Sequence, residues 1–147
     1  MTPPLLPFMI LAAIGFLASV GAHIASLLDL TLPGGKLVWL LHAGVFIVWF
    51  PAILLASRIN RGRPQFEYWK SVLSGCPPWM RYAVCALFVY AIGNFAWFMA
   101  TTGLQPPPIG DAPPSIVRGF SGHWLIFYGA AFAMLFSIYR NPALLKR

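Results

Sequence analysis

The chain has 147 residues, of which 59% are hydrophobic, 16% aromatic and only 9% charged. This composition excludes an ordinary soluble domain, so we interpret the chain as an integral membrane protein. Ten Lys and Arg residues against three acidic residues give a formal net charge of +7. Because these cations flank apolar segments, we expect them to meet anionic lipid headgroups, and we expect no nucleic-acid partner.

Four long apolar segments predict an all-α fold, a bundle of four transmembrane helices in one domain covering residues 1–147. Each segment has roughly the 20 residues that are needed to cross a bilayer. The predicted spans are residues 5–28, 36–57, 80–103 and 118–140. Between the second and third spans, Pro64 and Gly75 delimit a short amphipathic helix at about residues 64–74, which suits the headgroup region.

The cations are distributed unequally between the two ends of this predicted bundle. Lys36 and Arg118 lie at one end, and the other eight lie at the end that holds both termini: Arg58, Arg61, Arg63, Lys70, Arg81, Arg140, Lys146 and Arg147. We take the membrane to be a bacterial inner membrane, and under the positive-inside rule this distribution predicts that both termini lie in the cytoplasm.

All three histidines fall near the opposite, outer end of the predicted spans. His23 lies about five residues before the end of span one, while His42 and His123 lie about six and five residues after the starts of spans two and four. At 1.5 Å per residue, each imidazole is roughly 7 to 9 Å inside its span. His23 shares a helical face with Ser19 and other small residues, and His123 shares one with Gly119, whereas His42 has more apolar neighbours.

This histidine layer has two interpretations. Imidazole is the commonest metal ligand in proteins, so His23, His42 and His123 together would suit zinc or copper, and a pair of them would suit the iron of haem b. Alternatively, each imidazole forms a hydrogen bond to a hydroxyl, an amide or a backbone carbonyl and ties helices together. The predicted spans contain no acidic residue and the chain has no Cys-X-X-Cys-His motif, so catalysis has little support.

Other polar residues follow helical spacing inside the predicted spans. We interpret them as a structural seam in which hydroxyl, amide and indole groups bond to neighbouring helices. The members of this predicted seam are Ser19 in span one and Tyr90, Asn94, Trp97 and Thr101 in span three.

Two short stretches resemble small bacterial four-span integral membrane proteins: Cys76-Pro77-Pro78-Trp79-Met80-Arg81 and Phe120-Ser121-Gly122-His123-Trp124. The resemblance implies the four-span fold but no activity, cofactor or partner. We therefore expect a small polytopic inner-membrane protein that is not an enzyme and that serves as an accessory or assembly component of a membrane complex. Its protein partners would be other subunits or a second copy of the chain. The alternative is a metal- or haem-binding protein that uses the histidine layer.

Overall fold

The computed structural model describes residues 5–32, 34–102 and 112–146, and these residues form helices and turns without a strand. The α-helices are α1 (Leu5–Leu27), α2 (Trp39–Ile59), α3 (Tyr68–Val72), α4 (Pro78–Thr102) and α5 (Pro114–Arg140). Three 3-10 turns accompany them at Gly35–Val38, Gln65–Glu67 and Pro142–Lys146.

Four of these elements are long and apolar enough to cross a membrane: α1, α2 together with its preceding 3-10 turn, α4 and α5. Their lengths run from 23 to 27 residues, which at 1.5 Å per residue exceeds the roughly 30 Å of a bilayer core. The predicted all-α fold with four transmembrane helices is therefore confirmed, and the chain is a multi-pass membrane protein.

The boundaries differ from the predicted ones in two places. The fourth span was predicted from residue 118, but α5 begins at Pro114. Proline suits the first turn of a helix because its φ is already helical and because a backbone N–H at this position would have no partner within the helix. The predicted helix at 64–74 is instead a 3-10 turn followed by the five residues of α3. Residues 103–111, in the segment between the third and fourth predicted spans, lie outside the described residues.

Helix α5 lies at the centre of the bundle and packs against α1, α4 and α2. Its glycines accept large side chains from α4, since Phe98 covers Gly119 and Asn94 covers Gly122. A Cβ atom added at Gly122 would lie 2.8 Å from the Asn94 amide nitrogen, closer than packed atoms tolerate. Small residues on α5 thus allow the close helix approach that packing in lipid requires.

Tyr128 of α5 joins two further helices. A Cβ atom at Gly15 of α1 would overlap the Tyr128 ring, and one at Gly44 of α2 would overlap its hydroxyl. The hydroxyl donates a 2.8 Å hydrogen bond to the Leu41 carbonyl oxygen of α2. A buried tyrosine needs such a partner, so this one side chain fixes the positions of α1 and α2 against α5.

The turn between α3 and α4 lies against the last turns of α5. The Gly75 amide donates to the Ser137 hydroxyl over 2.9 Å, and the Cys76 thiol donates to the Ala133 carbonyl over 3.1 Å. A Cβ atom at Gly75 would overlap the Ser137 carbonyl oxygen. Glycine is therefore the residue that allows the backbone of this turn to reach α5.

Candidate functional site

His23 uses both of its ring nitrogens. The imidazole is 6% exposed on the face of α1 that meets α5. Its Nδ1 lies 2.6 Å from the Ser121 hydroxyl of α5, and its Nε2 forms a hydrogen bond with the Tyr90 hydroxyl of α4. A single imidazole thus connects three helices.

The hydrogen bonds of His23 leave neither ring nitrogen free. The Ser121 hydroxyl has one proton, which it can donate to the Arg118 carbonyl oxygen 3.2 Å away. In that case Nδ1–H of His23 donates to Ser121 and Nε2 accepts from the Tyr90 hydroxyl, and the other tautomer reverses both roles. In either tautomer both nitrogens are bonded to hydroxyls, and neither is open to a metal ion.

Arg118 and Asn94 extend this set of bonds towards the start of α5. The Arg118 guanidinium donates to the Ser26 carbonyl oxygen over 2.6 Å and pairs with Asp29 over 2.9 Å. The Asn94 amide donates to the Arg118 carbonyl oxygen over 2.8 Å. We call His23, Tyr90, Ser121, Asn94 and Arg118 the His23 network. It links α1, α4 and α5 at a depth where water is scarce and polar groups need partners.

His42 has a different role on α2. Its ring is exposed, and its Nδ1 accepts a 3.1 Å hydrogen bond from the indole nitrogen of the fully buried Trp124. Because indole is only a donor, Nδ1 is unprotonated and the neutral ring carries its proton on Nε2. In a metal-bound imidazole, the ring nitrogen that does not bind the metal usually donates a hydrogen bond, whereas Nδ1 of His42 accepts one. His42 is thus arranged as the acceptor for Trp124.

His123 is half-buried and packs edge-on against Phe95 of α4, with ring centroids 4.6 Å apart. Its Nδ1 is buried and has no hydrogen-bond partner among the described residues. The Gly119 carbonyl, one turn earlier on α5, and the His42 ring both lie near this imidazole. Unlike His23, whose two ring nitrogens are bonded to hydroxyls, His123 has no side-chain hydrogen bond among the described residues.

The structure does not bring the three histidines into one group. His23 lies between α1, α4 and α5, whereas His42 bonds to Trp124 and His123 packs on Phe95. Within residues 5–32, 34–102 and 112–146, no three His, Cys, Asp or Glu side chains are placed to hold a metal ion. The metal and haem hypotheses therefore gain no geometric support, and they stay predictions from the sequence.

The predicted polar seam divides into two parts. Tyr90 and Asn94 bond to other helices, as described above. The Ser19 hydroxyl donates to the Gly15 carbonyl of its own helix over 2.7 Å, and Thr101 donates to Trp97 of its own helix over 2.9 Å. Trp97 itself is 67% exposed on the outside of α4.

Sequence reasoning missed Ser121 and Arg118, the two α5 members of the His23 network. It followed the face of α5 that carries His123, whereas Ser121 lies about 200° around the helix from that residue. The sequence carries one indication of this second face of α5, because Ser121, Leu125 and Tyr128 recur at the helical intervals of four and three residues. In the structure all three residues are buried.

Comparison with known proteins adds no relative. The chain matches no protein-family model, no curated protein and no solved structure. The function therefore has to be argued from the fold and from the His23 network alone.

Proposed function

We propose that this protein is a non-enzymatic accessory or assembly component of a membrane complex in the bacterial inner membrane. The observation that carries the proposal is the bonding of His23, whose two ring nitrogens are taken by hydroxyls of two other helices. An imidazole bonded in this way joins helices and is not available to a substrate or a cofactor. The unequal distribution of the cations supports a cytoplasmic location for both termini.

The outside of α4 is where we expect a partner helix to bind. Only Met80, Val84 and Ala91 of this helix are buried within the chain. One stripe of its exposed side, beside the exposed Phe88, Ile92 and Trp97, carries mostly small residues at alternating intervals of three and four: Ala86, Val89, Gly93, Ala96 and Ala100. The exposed side of α1 carries large aliphatic residues, which suit lipid chains: Ile10, Ile14, Leu17, Ile24 and Leu27.

Small residues favour contact with another helix because they let two backbones approach. We therefore expect the partner to contribute a membrane-spanning helix that packs along α4. The partner that we propose is a different subunit of the complex. A second copy of the chain is the other outcome that the experiment below distinguishes.

Two exposed glycines provide a matched test. A Cβ atom added at Gly93 of α4 or at Gly21 of α1 meets nothing within 4 Å, so Gly93→Leu and Gly21→Leu both leave the fold intact. The tagged protein is purified in mild detergent, and its associated proteins are identified by mass spectrometry. We expect Gly93→Leu to lose the partner and Gly21→Leu to retain it.

Two results would count against this proposal. One is a wild-type protein that is monodisperse, binds no other chain and turns over a substrate. The other is an associated species that contains only this chain, which would make the α4 face a site of self-association.

A second candidate function is binding of a metal ion or haem b, and one observation favours it. The buried Nδ1 of His123 has no side-chain hydrogen-bond partner among the described residues, so it is a buried ring nitrogen that a cofactor could use. An absorption spectrum and elemental analysis of the purified protein test this candidate. A Soret band that disappears in His123→Ala would support it, and a colourless, metal-free protein would remove it.

A further inference from the structure

One end of the bundle carries many cations and few carboxylates. Among the described residues of this end, Glu67 is the one carboxylate, and the cations are Arg58, Arg61, Arg63, Lys70, Arg81 and Arg140. The one ion pair within the described part of the chain, Arg118 with Asp29, lies at the opposite end. The guanidinium groups of Arg81 and Arg140 therefore have no carboxylate partner within the described residues.

Arg81 is held in place by the turn that precedes α4. Its Nε donates to the Cys76 carbonyl oxygen over 3.1 Å, and its Nη2 donates to the Ser74 carbonyl oxygen over 2.9 Å. A guanidinium has five N–H donors, so other donors remain free, and the side chain is exposed. Arg81 thus presents a charge whose position is fixed before any ligand arrives.

Arg140 lies beside the same turn. It is the last residue of α5, one turn after Ser137, whose hydroxyl binds the Gly75 amide over 2.9 Å. Its guanidinium lies 5.9 Å from the centre of the Phe136 ring. The charges of both arginines act on the Cys76 thiol: burial raises the pKa of this thiol, and Arg81 and Arg140 are among the groups that oppose the rise. The segment of residues 74–76, which holds Arg81, therefore lies against the end of α5 that carries Arg140.

Exposed aromatic side chains neighbour both arginines in the sequence. Trp79, Tyr82 and Tyr139 are 66%, 75% and 56% exposed. Trp and Tyr are enriched at the level of the lipid headgroups, where their rings meet acyl chains and their polar atoms meet water. We therefore expect the two arginines to lie at the level of the lipid phosphates.

We propose that Arg81 and Arg140 together bind the phosphate of one anionic phospholipid headgroup. The guanidinium fork matches phosphate geometry and offers charge-assisted hydrogen bonds. Two such groups beside one turn, which have no carboxylate partner in the part of the chain that the structure describes, are complementary to a headgroup with a net negative charge. The zwitterionic headgroup of phosphatidylcholine carries its own cation and is the poorer ligand. The site does not depend on the accessory function proposed above.

Native mass spectrometry of the full chain in uncharged detergent tests this site by titration with phosphatidylglycerol and with phosphatidylcholine. Arg140→Gln removes one guanidinium, and Arg61→Gln is the control because Arg61 is an exposed cation at the same end. We expect phosphatidylglycerol to bind wild type more tightly than phosphatidylcholine. Arg140→Gln should weaken phosphatidylglycerol binding about fivefold, and Arg61→Gln by less than about twofold.

Arg81 requires a conservative variant because it also holds the turn. Arg81→Lys keeps the charge but loses the fork, so we expect it to weaken phosphatidylglycerol binding while the melting temperature reports whether the fold is retained. Equal weakening by Arg61→Gln and Arg140→Gln would overturn the site in favour of diffuse attraction. Equal binding of the two lipids, or equal stabilisation by inorganic phosphate without lipid, would also overturn it.

Discussion

Helices α4 and α5 have similar lengths and both are apolar enough to span a membrane, yet they lie in opposite environments. Sixteen of the 27 residues of α5 are buried, against three of the 25 residues of α4. On α5 the glycines face α4 and accept its large side chains, whereas on α4 the small residue Gly93 faces outwards. In this bundle, the glycines that face other helices therefore distinguish the central helix α5 from α4, and small residues allow the close approach that packing in lipid requires.

A methyl group added against α5 should lower the stability of the fold much more than one added on the outside of α4. Gly75→Ala brings a Cβ atom onto the Ser137 carbonyl oxygen, and neither backbone can move without separating the turn from α5. We expect a loss of stability on the order of 2 kcal/mol. Gly93→Ala adds the same group in open space and should leave the melting temperature within a degree or two of wild type. Equal melting temperatures for the two variants would show that the turn is not seated on α5.

Removing one hydroxyl from the His23 network should have a smaller effect. Tyr90→Phe leaves Nε2 of His23 without its partner, and we expect a loss of about 0.6 kcal/mol, the average for hydrogen bonds between membrane helices, and of no more than about 1.7 kcal/mol, their maximum. Tyr82→Phe is the control, because Tyr82 is 75% exposed on the same helix. Unfolding in mixed micelles measures both variants, and a larger loss for Tyr82→Phe would contradict the proposed network.

The smallest effect concerns the pH dependence of stability at the turn that binds α5. Burial raises the pKa of the Cys76 thiol in the folded protein above its ordinary value, so the folded state favours the protonated form. The contribution of this thiol to the free energy of unfolding is therefore fully present below the pKa of the thiol in the unfolded chain, about 8.5. It is lost as the pH rises through the pKa of the thiol in the folded protein.

We therefore expect wild type and Cys76→Ala to show a constant difference in stability from pH 6 to 8. The difference should shrink above about pH 9, as the thiol ionises in the unfolded state. A difference that grows over that range would mean that the folded protein favours the thiolate.

The spans and the inward orientation of His23 could be predicted because they depend on local periodicity. Ser19, His23 and Ser26 recur at intervals of four and three, and all three are buried. The partners of His23 could not be predicted, because Ser121 meets it through the rotation of α5, which is set by packing on three helices at once. Likewise, the common depth of the three imidazoles was visible in the sequence, but depth does not determine which helix faces which.

Photo-cross-linking in intact membranes tests the central claim most directly. A photoreactive residue of similar size replaces Trp97 on the exposed side of α4 or Leu17 on the exposed side of α1, which are 67% and 69% exposed, and the cross-linked products are identified by mass spectrometry. The accessory role predicts a protein of different sequence cross-linked from position 97 and only lipid from position 17. Lipid alone from both positions, or the same protein from both, would contradict the claim that α4 is the face that meets a partner.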